Sequence, residues 1–366
     1  KRLSNALAQP YFIHDYPHKI TASIGTTIYP LDNSDLDTLV RHADQAMYQA
    51  KLSGKNQQQI FNALNNQEIA NRQSQISAIN QAFTCKQFQL YYQPKVNIRT
   101  GKVFGVEALI RWIHPDKGLI PPLDFLPLIE GTDLEIQVGG WVINEALLQM
   151  DYWKQHDIDL KVSINISTNH IQSTTFFDQL SEALDRHPDV NSQDLQLEIL
   201  ESSALGDIDI ISGIIKSCQN VLGVEVALDD FGTGYSSLTH MKNLSANTIK
   251  IDQSFVRDLL DDPNDYSIIE GIIGLAKAFN REVIAEGVET DAHGLMLLIM
   301  GCNEAQGYGI SRPLPAEDLM TWLADYSPNP YWTNYGSRSF SSQEHKITLL
   351  QITTKHWFDN INKILL

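Results

Sequence analysis

The stretch "VEVALDDFGTGYSSL" (residues 224–238) places two adjacent carboxylates, Asp229 and Asp230, directly after an apolar run and before a glycine-punctuated loop. Neighbouring like charges repel each other, so the pair costs stability unless cations or hydrogen-bond donors lie between the carboxylates. A solvated surface turn is the simpler interpretation of this stretch. A metal site at the end of a strand is the more specific one.

Seven other short apolar runs of the same kind surround this one. In chain order the eight runs are FQLYYQ (88–93), VFGVEALIRW (103–112), LKVSINIS (160–167), LQLEI (195–199), VEVALDD (224–230), TIKID (248–252), EVIAEG (282–287) and EAQGY (304–308). Amphipathic helical stretches such as VINEALLQMDYWKQH (142–156) lie between most of them. This alternation predicts an α/β fold with a parallel sheet closed as a (β/α)8 TIM-like barrel of about 240 residues. An open doubly wound sheet is the alternative that the strand pattern leaves open.

Composition excludes several classes of function. The chain has 366 residues, 43% of them hydrophobic, and a formal net charge of −17, which argues against binding a DNA or RNA polymer. Its three cysteines are far apart and form no zinc-binding pattern. No apolar run reaches membrane-spanning length, so we expect no membrane contact by this segment. The chain begins without methionine, and we expect a cytoplasmic protein or the cytoplasmic part of a longer, membrane-anchored sensor.

The pattern divides the chain into four parts. Residues 1–62 combine a strand-like run with one helix and are too few to bury a core alone, and residues 63–83 read as a connecting helix. The barrel is expected over residues 84–326. Residues 327–366 begin with a linker rich in proline, serine and asparagine and end with an amphipathic helix.

Polar residues follow the predicted strands at their carboxyl ends, which converge on one rim in a barrel. They are Glu107, Asn165, Glu198, Asp229, Asp230, Lys250, Glu286 and Gln306. Each carboxylate taken alone is more often a helix cap or a solvated loop residue, but five of them on one rim would need cations, and hard oxygen ligands suit Mg²⁺ or Mn²⁺. Lys250 lies between two isoleucines and needs an anionic partner, which is either a ligand phosphate or a structural ion pair.

These residues lie in a series of motifs that resembles a known family. YYQPKVNIRTGKVFGVEALIRW, VSINIS, LEILES, ALDDFGTGYSSL, IKIDQSFV, AEGVET and AQGYGISRPLP are similar to the successive motifs of EAL-domain cyclic di-GMP phosphodiesterases, from about residue 88 to 322. Residues 107–109 are the Glu-Ala-Leu that names the family. Residues 1–62 resemble the C-terminal part of a GGDEF domain without its signature loop, so no cyclase activity is expected.

The resemblance implies a barrel whose first strand can run antiparallel and which hydrolyses cyclic di-GMP to linear pGpG with two Mg²⁺ or Mn²⁺ ions, Ca²⁺ being inhibitory. It also implies a homodimer. A receptor that binds cyclic di-GMP without hydrolysing it is the alternative. By resemblance, one ion is held by Glu107, Asn165, Glu198 and Asp229, and the other by Asp229, Asp230 and Glu286.

The resemblance assigns further roles around these ligands. Lys250 would orient the attacking water or offset phosphate charge, and Gln306 would hydrogen-bond beside the metal site and the nucleotide. Substrate contacts would come from Gln93, Leu109 and Arg111, with Asp230 also near the substrate. Glu201 would hold the loop 231–237, and Glu289 would support the ligands. Where the family commonly has a bulky apolar pair, this chain has Gly309 and Ile310, which predicts a looser wall near Gln306.

Overall fold

The structure is a computed structural model that describes residues 11–14, 16–18, 21–52, 56–61, 63–202, 208–233 and 244–337. The chain forms two compact units, residues 1–81 and 82–366. The predicted helix near the C-terminus, and the predicted loop after residue 233, lie outside the described residues. The proposed boundaries at residues 62, 83 and 326 stay predictions.

The first unit is small. Strands β1 (Tyr11–Ile13) and β2 (Tyr16–His18) pair antiparallel, whereas β3 (Ile24–Thr26) and β4 (Gln58–Ile60) pair parallel. Helix α1 (Leu36–Leu52) connects β3 to β4. Helix α2 (Ala63–Thr84) follows and ends in the second unit.

The second unit contains a closed barrel of eight strands, as the sequence predicts. They are β5 (Phe88–Asn97), β6 (Lys102–His114), β8 (Lys161–Asn165), β9 (Leu195–Leu200), β10 (Glu225–Phe231), β11 (Thr248–Ile251), β12 (Glu282–Ala285) and β13 (Glu304–Ala305). The strands are neighbours in chain order from β6 to β13, and β5 closes the ring by pairing with both β6 and β13. Two short strands that the sequence pattern did not reveal, β7 (Gly118–Ile120) and β14 (Leu314–Pro315), extend the sheet at β6 and β5. The open doubly wound sheet is therefore excluded.

Strand β5 runs against the other seven. Its pairings with β6 and β13 are antiparallel, while the pairings that link the other seven barrel strands to one another are parallel. In the pairing of β5 with β6, Gln93 lies opposite Glu107 and Lys95 lies opposite Gly105. The reversal brings the later residues of β5 to the amino-terminal ends of the parallel strands.

Ten α-helices accompany the barrel among the described residues of the second unit. They are α3 (Leu126–Ile129), α4 (Asp133–Lys154), α5 (Thr168–Ile171), α6 (Phe176–Asp185), α7 (Ile208–Ser217), α8 (Gln253–Asp258), α9 (Pro263–Ala278), α10 (Asp291–Met300), α11 (Ala316–Asp325) and α12 (Pro330–Gly336). Apolar residues of the strands alternate with polar ones. In β9, Leu197 and Ile199 are fully buried on the outer face, whereas Gln196 and Glu198 contact other strands across the lumen.

Helix α12 lies in the stretch whose composition predicts a linker. Its Trp332 is 3% exposed and donates from Nε1 to the backbone oxygen of Asp291, 2.8 Å away. Gly294 of α10 leaves room for this ring, because a Cβ there would lie 2.4–2.7 Å from the indole. Residues 330–336 therefore pack against the barrel unit instead of forming a linker.

Candidate metal centre

Asp229 and Asp230 lie at a bulge in β10. The pairing of β10 with β11 shifts register between Leu228 and Phe231, and Asp230 has a φ of 53°. Successive side chains of a regular strand point to opposite faces, but a bulge with one left-handed residue changes that alternation. Aspartate tolerates this conformation better than most residues. The bulge thus turns two adjacent carboxylates toward one site.

Five carboxylates from four strands or strand ends meet there in two groups. Ligand oxygens of Glu107, Glu198 and Asp229 lie within 4.8 Å of one another, and so do those of Asp229, Asp230 and Glu286. Asp229 belongs to both groups. Each group could therefore hold one divalent cation, and Asp229 would be a ligand of both. Carboxylate oxygens are the ligands that hard cations prefer.

Lys250 sits at the centre of this cluster and is completely buried. Its Nζ lies 2.5 Å from an oxygen of Glu198, 2.7 Å from Glu286, 3.0 Å from Asp229 and 3.6 Å from Glu107. Burial by itself disfavours the ammonium, but these carboxylates, led by Asp229, raise the lysine pKa well above its usual value. Lys250 thus remains charged and compensates part of the cluster's negative charge.

Burial by itself lowers the pKa of a lysine but raises the pKa of a carboxyl group. It raises the pKa of Glu107 and of Glu286 above the usual value, although Lys250 partly offsets the effect. Burial, then the charge of Asp229, then a hydrogen bond to Asp252 raise the pKa of Asp230 to about 7. Crowded carboxylates of this kind hold protons that a divalent cation would displace.

Glu198 differs from the other carboxylates because two lysines contact it. Burial would raise its pKa, but Lys250 and Lys95 together lower it to about 2. Lys95 Nζ lies 2.6 Å from Glu198 Oε1, and only 1% of the lysine is exposed. The sequence analysis missed Lys95. A signal was present, since Gln93 and Lys95 are spaced by two on a strand whose intervening residues are apolar.

A chain of amide groups orients Glu107. Asn165 Nδ2 donates to Glu107 Oε1 (2.7 Å), and Gln306 Nε2 donates both to Glu107 Oε2 (2.7 Å) and to Gln93 Oε1 (2.8 Å). Gln93 in turn donates from Nε2 to the backbone oxygen of Ser311 (3.0 Å). The buried Gln306 Oε1 has no hydrogen-bond partner among the described residues. An unpaired buried acceptor beside a carboxylate cluster fits a site that takes a further ligand or cation.

The remaining predicted substrate residues lie farther along β6. Leu109 and Arg111 alternate with Glu107 on the same strand, and both are partly exposed. The Arg111 guanidinium lies 5.7 Å from the centre of the Tyr91 ring and donates to the backbone oxygen of Ile110 at 2.9 Å. The strand therefore aligns a carboxylate, an apolar side chain and a cation beside the carboxylate cluster.

Glu201 holds the backbone directly after the bulge. Its Oε2 accepts a hydrogen bond from the amide of Gly232 at 2.7 Å, and the side chain is 3% exposed. The rest of the loop from residue 234 lies outside the described residues. Glu289 is exposed on the segment that follows Glu286.

Gly309 packs against the backbone of residues 288–289, in the wall near Gln306. Its amide donates to Val288 O at 2.9 Å, and a Cβ at this position would lie 2.7 Å from backbone atoms of Glu289. Residue 309 therefore contacts the 288–289 backbone directly, and the looser wall expected from the small residue is not seen at this point.

Comparison with known proteins identifies the family. The model of the EAL domain matches residues 76–313, and that of the diguanylate cyclase GGDEF domain matches residues 1–57. No helix among the described residues is both long and apolar enough to cross a membrane.

Curated relatives are similar along most of the chain. "Bifunctional diguanylate cyclase/cyclic di-GMP phosphodiesterase MucR" of Pseudomonas aeruginosa is 40% identical over 328 residues, 88% of this chain and 47% of that protein. "Cyclic di-GMP phosphodiesterase PdeR" of Escherichia coli is 35% identical over 327 residues, 89% of this chain and 49% of that protein. The chain thus spans about half the length of these relatives.

Solved structures agree with the barrel. "PaMucR Phosphodiesterase, c-di-GMP complex" superposes with a TM-score of 0.65 at 41% identity, covering 67% of this chain and 99% of that one. "Structure of EAL Enzyme Bd1971 - cAMP and cyclic-di-GMP bound form" gives 0.68 at 29% identity, covering 80% and 77%. The matched residues contain the barrel and its carboxylate cluster, and the chain belongs to the EAL domain family.

Proposed function

We propose that this chain is a metal-dependent phosphodiesterase that hydrolyses cyclic di-GMP to linear 5′-pGpG in bacterial second-messenger signalling. The observation that carries the proposal is the pair of carboxylate groups that share Asp229. Paired divalent ions about 3.5–4 Å apart are the usual apparatus for in-line displacement at phosphorus. MucR and PdeR, which carry phosphodiesterase in their names, support the same activity.

The residues fit two divalent ions, which we propose to be Mg²⁺ or Mn²⁺. Glu107, Glu198 and Asp229 would hold one, and Asp229, Asp230 and Glu286 the other. Asn165 reaches the first group through its hydrogen bond to Glu107 and can turn its amide oxygen toward the ion. When bound, the ions would lower the pKa of water and offset the charge of the phosphate.

The protein's own side chains would orient the substrate and the attacking water. In the reaction, water oxygen forms a bond to phosphorus, the bond from phosphorus to the 3′ oxygen breaks, and that oxygen takes a proton. Lys250 would hold water or phosphate oxygen by its ammonium, and Gln306 would do so by its amide. Arg111 offers a planar donor fork to a phosphate at the rim.

Incubation of the full chain with cyclic di-GMP tests the proposal. We expect pGpG to form in Mg²⁺ or Mn²⁺ and to stop forming in Ca²⁺. Absence of pGpG in both active metals, from protein with a cooperative thermal transition, would contradict the proposal. Tight binding of cyclic di-GMP by calorimetry without turnover would instead favour a receptor.

A homodimer is a further part of the proposal and rests on the family resemblance. Light scattering at several protein concentrations, with and without cyclic di-GMP, would measure it. A molar mass that stays at that of one chain would exclude it.

A further inference from the structure

Lys95 approaches the carboxylate cluster from the side opposite to the predicted substrate residues. Strand β5 runs against its neighbours, so Lys95, which faces Gly105, starts two residues below the level at which Gln93 faces Glu107. From there its side chain extends through the lumen to Glu198. The reversed strand therefore places a second ammonium beneath the cluster.

A hydrogen-bond chain across the lumen fixes the ammonium of Lys95. Its Nζ donates to Ser163 Oγ at 2.5 Å, Ser163 Oγ donates to Gln196 Oε1 at 2.9 Å, and Gln196 Nε2 donates to Thr248 Oγ1 at 3.1 Å. All four side chains are at most 5% exposed. The chain ties strands β5, β8, β9 and β11 together below the carboxylates.

The two lysines divide the oxygens of Glu198 between them. Oε1 contacts Lys95 at 2.6 Å and Oε2 contacts Lys250 at 2.5 Å. Lys250 also contacts three other carboxylates, whereas Lys95 donates, within the part of the chain that the structure describes, to Glu198 and Ser163. A cation entering the cluster competes with Lys250 for shared oxygens, but Lys95 keeps its own oxygen of Glu198 on the far side.

We propose that Lys95 is a positioning residue that holds Glu198 Oε1 from below, so that Oε2 stays directed into the cluster as a ready ligand for a divalent cation. This inference rests on the proposed function of the same site. Without Lys95, Glu198 could turn both oxygens toward Lys250 and become a poorer ligand. Partners that orient a metal ligand typically change metal affinity or activity by about 10–100-fold.

The test measures Mn²⁺ binding without nucleotide, by calorimetry and by the electron paramagnetic resonance of free Mn²⁺. We expect Lys95→Met to weaken Mn²⁺ binding about tenfold and to lower kcat by about 10–100-fold, with the KM for cyclic di-GMP changed less than about twofold. Loss of charge alone would act in the opposite direction, since removal of a nearby cation strengthens the attraction for Mn²⁺. Mn²⁺ binding that is unchanged or tighter in Lys95→Met would overturn the proposal.

Two further variants complete the design. Lys161→Met is the matched control, because Lys161 pairs with Glu225 at 2.9 Å, away from the cluster. It should leave Mn²⁺ binding and kcat unchanged, and an equal loss in it would count against Lys95. Lys95→Arg keeps the charge and the donor and should recover most of the Mn²⁺ affinity.

Two measurements distinguish a wrong role for Lys95 from a folding defect and from a wrong proposed function. Thermal unfolding without metal is recorded for every variant, and if Lys95→Met does not fold, Lys95→Gln replaces it with the same expected loss. If the unmodified chain binds Mn²⁺ but yields no pGpG, the proposed hydrolysis is wrong, while the binding comparison still decides the role of Lys95.

Discussion

Lys250 Nζ lies 2.5 Å from Glu198 Oε2, and both side chains are fully buried. Removing one partner of a buried ion pair leaves an uncompensated charge and typically costs about 3–5 kcal/mol of stability. Here the lysine contacts four carboxylates. Lys250 is therefore the lysine that compensates the charge of most carboxylates in the cluster.

Lys250→Met should consequently lower the thermal unfolding midpoint in EDTA, and Mg²⁺ or Mn²⁺ should recover part of the loss. A ligand stabilises the folded state more when it binds that state more tightly. Removal of the Lys250 charge should strengthen the attraction for a divalent cation, so the metal-induced shift should be larger in the variant than in the unmodified chain. Differential scanning calorimetry measures both. Lys161→Met, which removes a half-exposed ion pair, should change stability by about 1 kcal/mol or less. Equal midpoints for Lys250→Met and the unmodified chain in EDTA would contradict this account.

Glu107→Gln should lower turnover of cyclic di-GMP by at least about 100-fold, because it removes a predicted metal ligand. Loss of a residue that only orients a metal ligand usually lowers activity by about 10–100-fold. Its effect on folding should be small, because burial already disfavours the charged form of Glu107 and the amide keeps the volume. The new NH2 group would face the donor of Gln306, but that amide can turn its unpaired Oε1 toward it. Product chromatography and thermal unfolding measure the two effects. Glu317→Gln, on the exposed face of α11, is the control for loss of a carboxylate. Substantial turnover in Glu107→Gln would remove Glu107 from the set of ligands.

Glu201→Ala should weaken Mn²⁺ binding about tenfold, although Glu201 is not among the predicted ligands. Its Oε2 fixes the amide of Gly232, two residues after Asp230, so its loss frees the end of the bulge. Glu201→Gln retains an acceptor oxygen and should lose less affinity. Calorimetric titration of the three proteins gives the order, and an equal affinity for all three would show that the hydrogen bond does not orient Asp230.

Glu304→Gln should change the pH dependence of stability. Burial, and then the charge of Glu282, raise the pKa of Glu304 from 4.5 to about 7. The folded state therefore binds the proton more tightly than the unfolded state, and stability falls as pH rises from about 4.5 to 7. The variant carries no such cost, so its unfolding midpoint should exceed that of the unmodified chain by roughly 2–4 °C at pH 8 and match it near pH 4.5. The same difference at both pH values would exclude ionisation of Glu304 as the cause.

The eight strands were predictable because each is an apolar run between polar helix-forming stretches, and the structure confirms the closed barrel. The bulge at Asp229 and Asp230 was not predictable from strand periodicity, since a regular strand would separate the two side chains. Lys250 offsets part of the repulsion expected from the sequence, because its Nζ lies 3.0 Å from Asp229.

Lys95 was missed for a physical reason as well. In an open sheet, the polar alternate residues of a strand usually face water, whereas in this barrel they face a polar lumen and the apolar alternates face helices. Tyr92, for example, is 1% exposed and packs edge-on against Trp153 of α4, with ring centres 4.8 Å apart. Site residues were expected at the carboxyl ends of the strands, whereas the reversed direction of β5 lets Lys95 reach the cluster from the amino-terminal side of its neighbours.

The docking of Trp332 sets a limit on how far this protein can be shortened. The family match ends at residue 313, and a fragment designed from it would lack the indole that fills the space above Gly294. In such a fragment, buried residues of α10 would be exposed to water, and this exposed apolar surface would promote aggregation. A soluble truncated version for crystallisation or screening should therefore extend at least through residue 336.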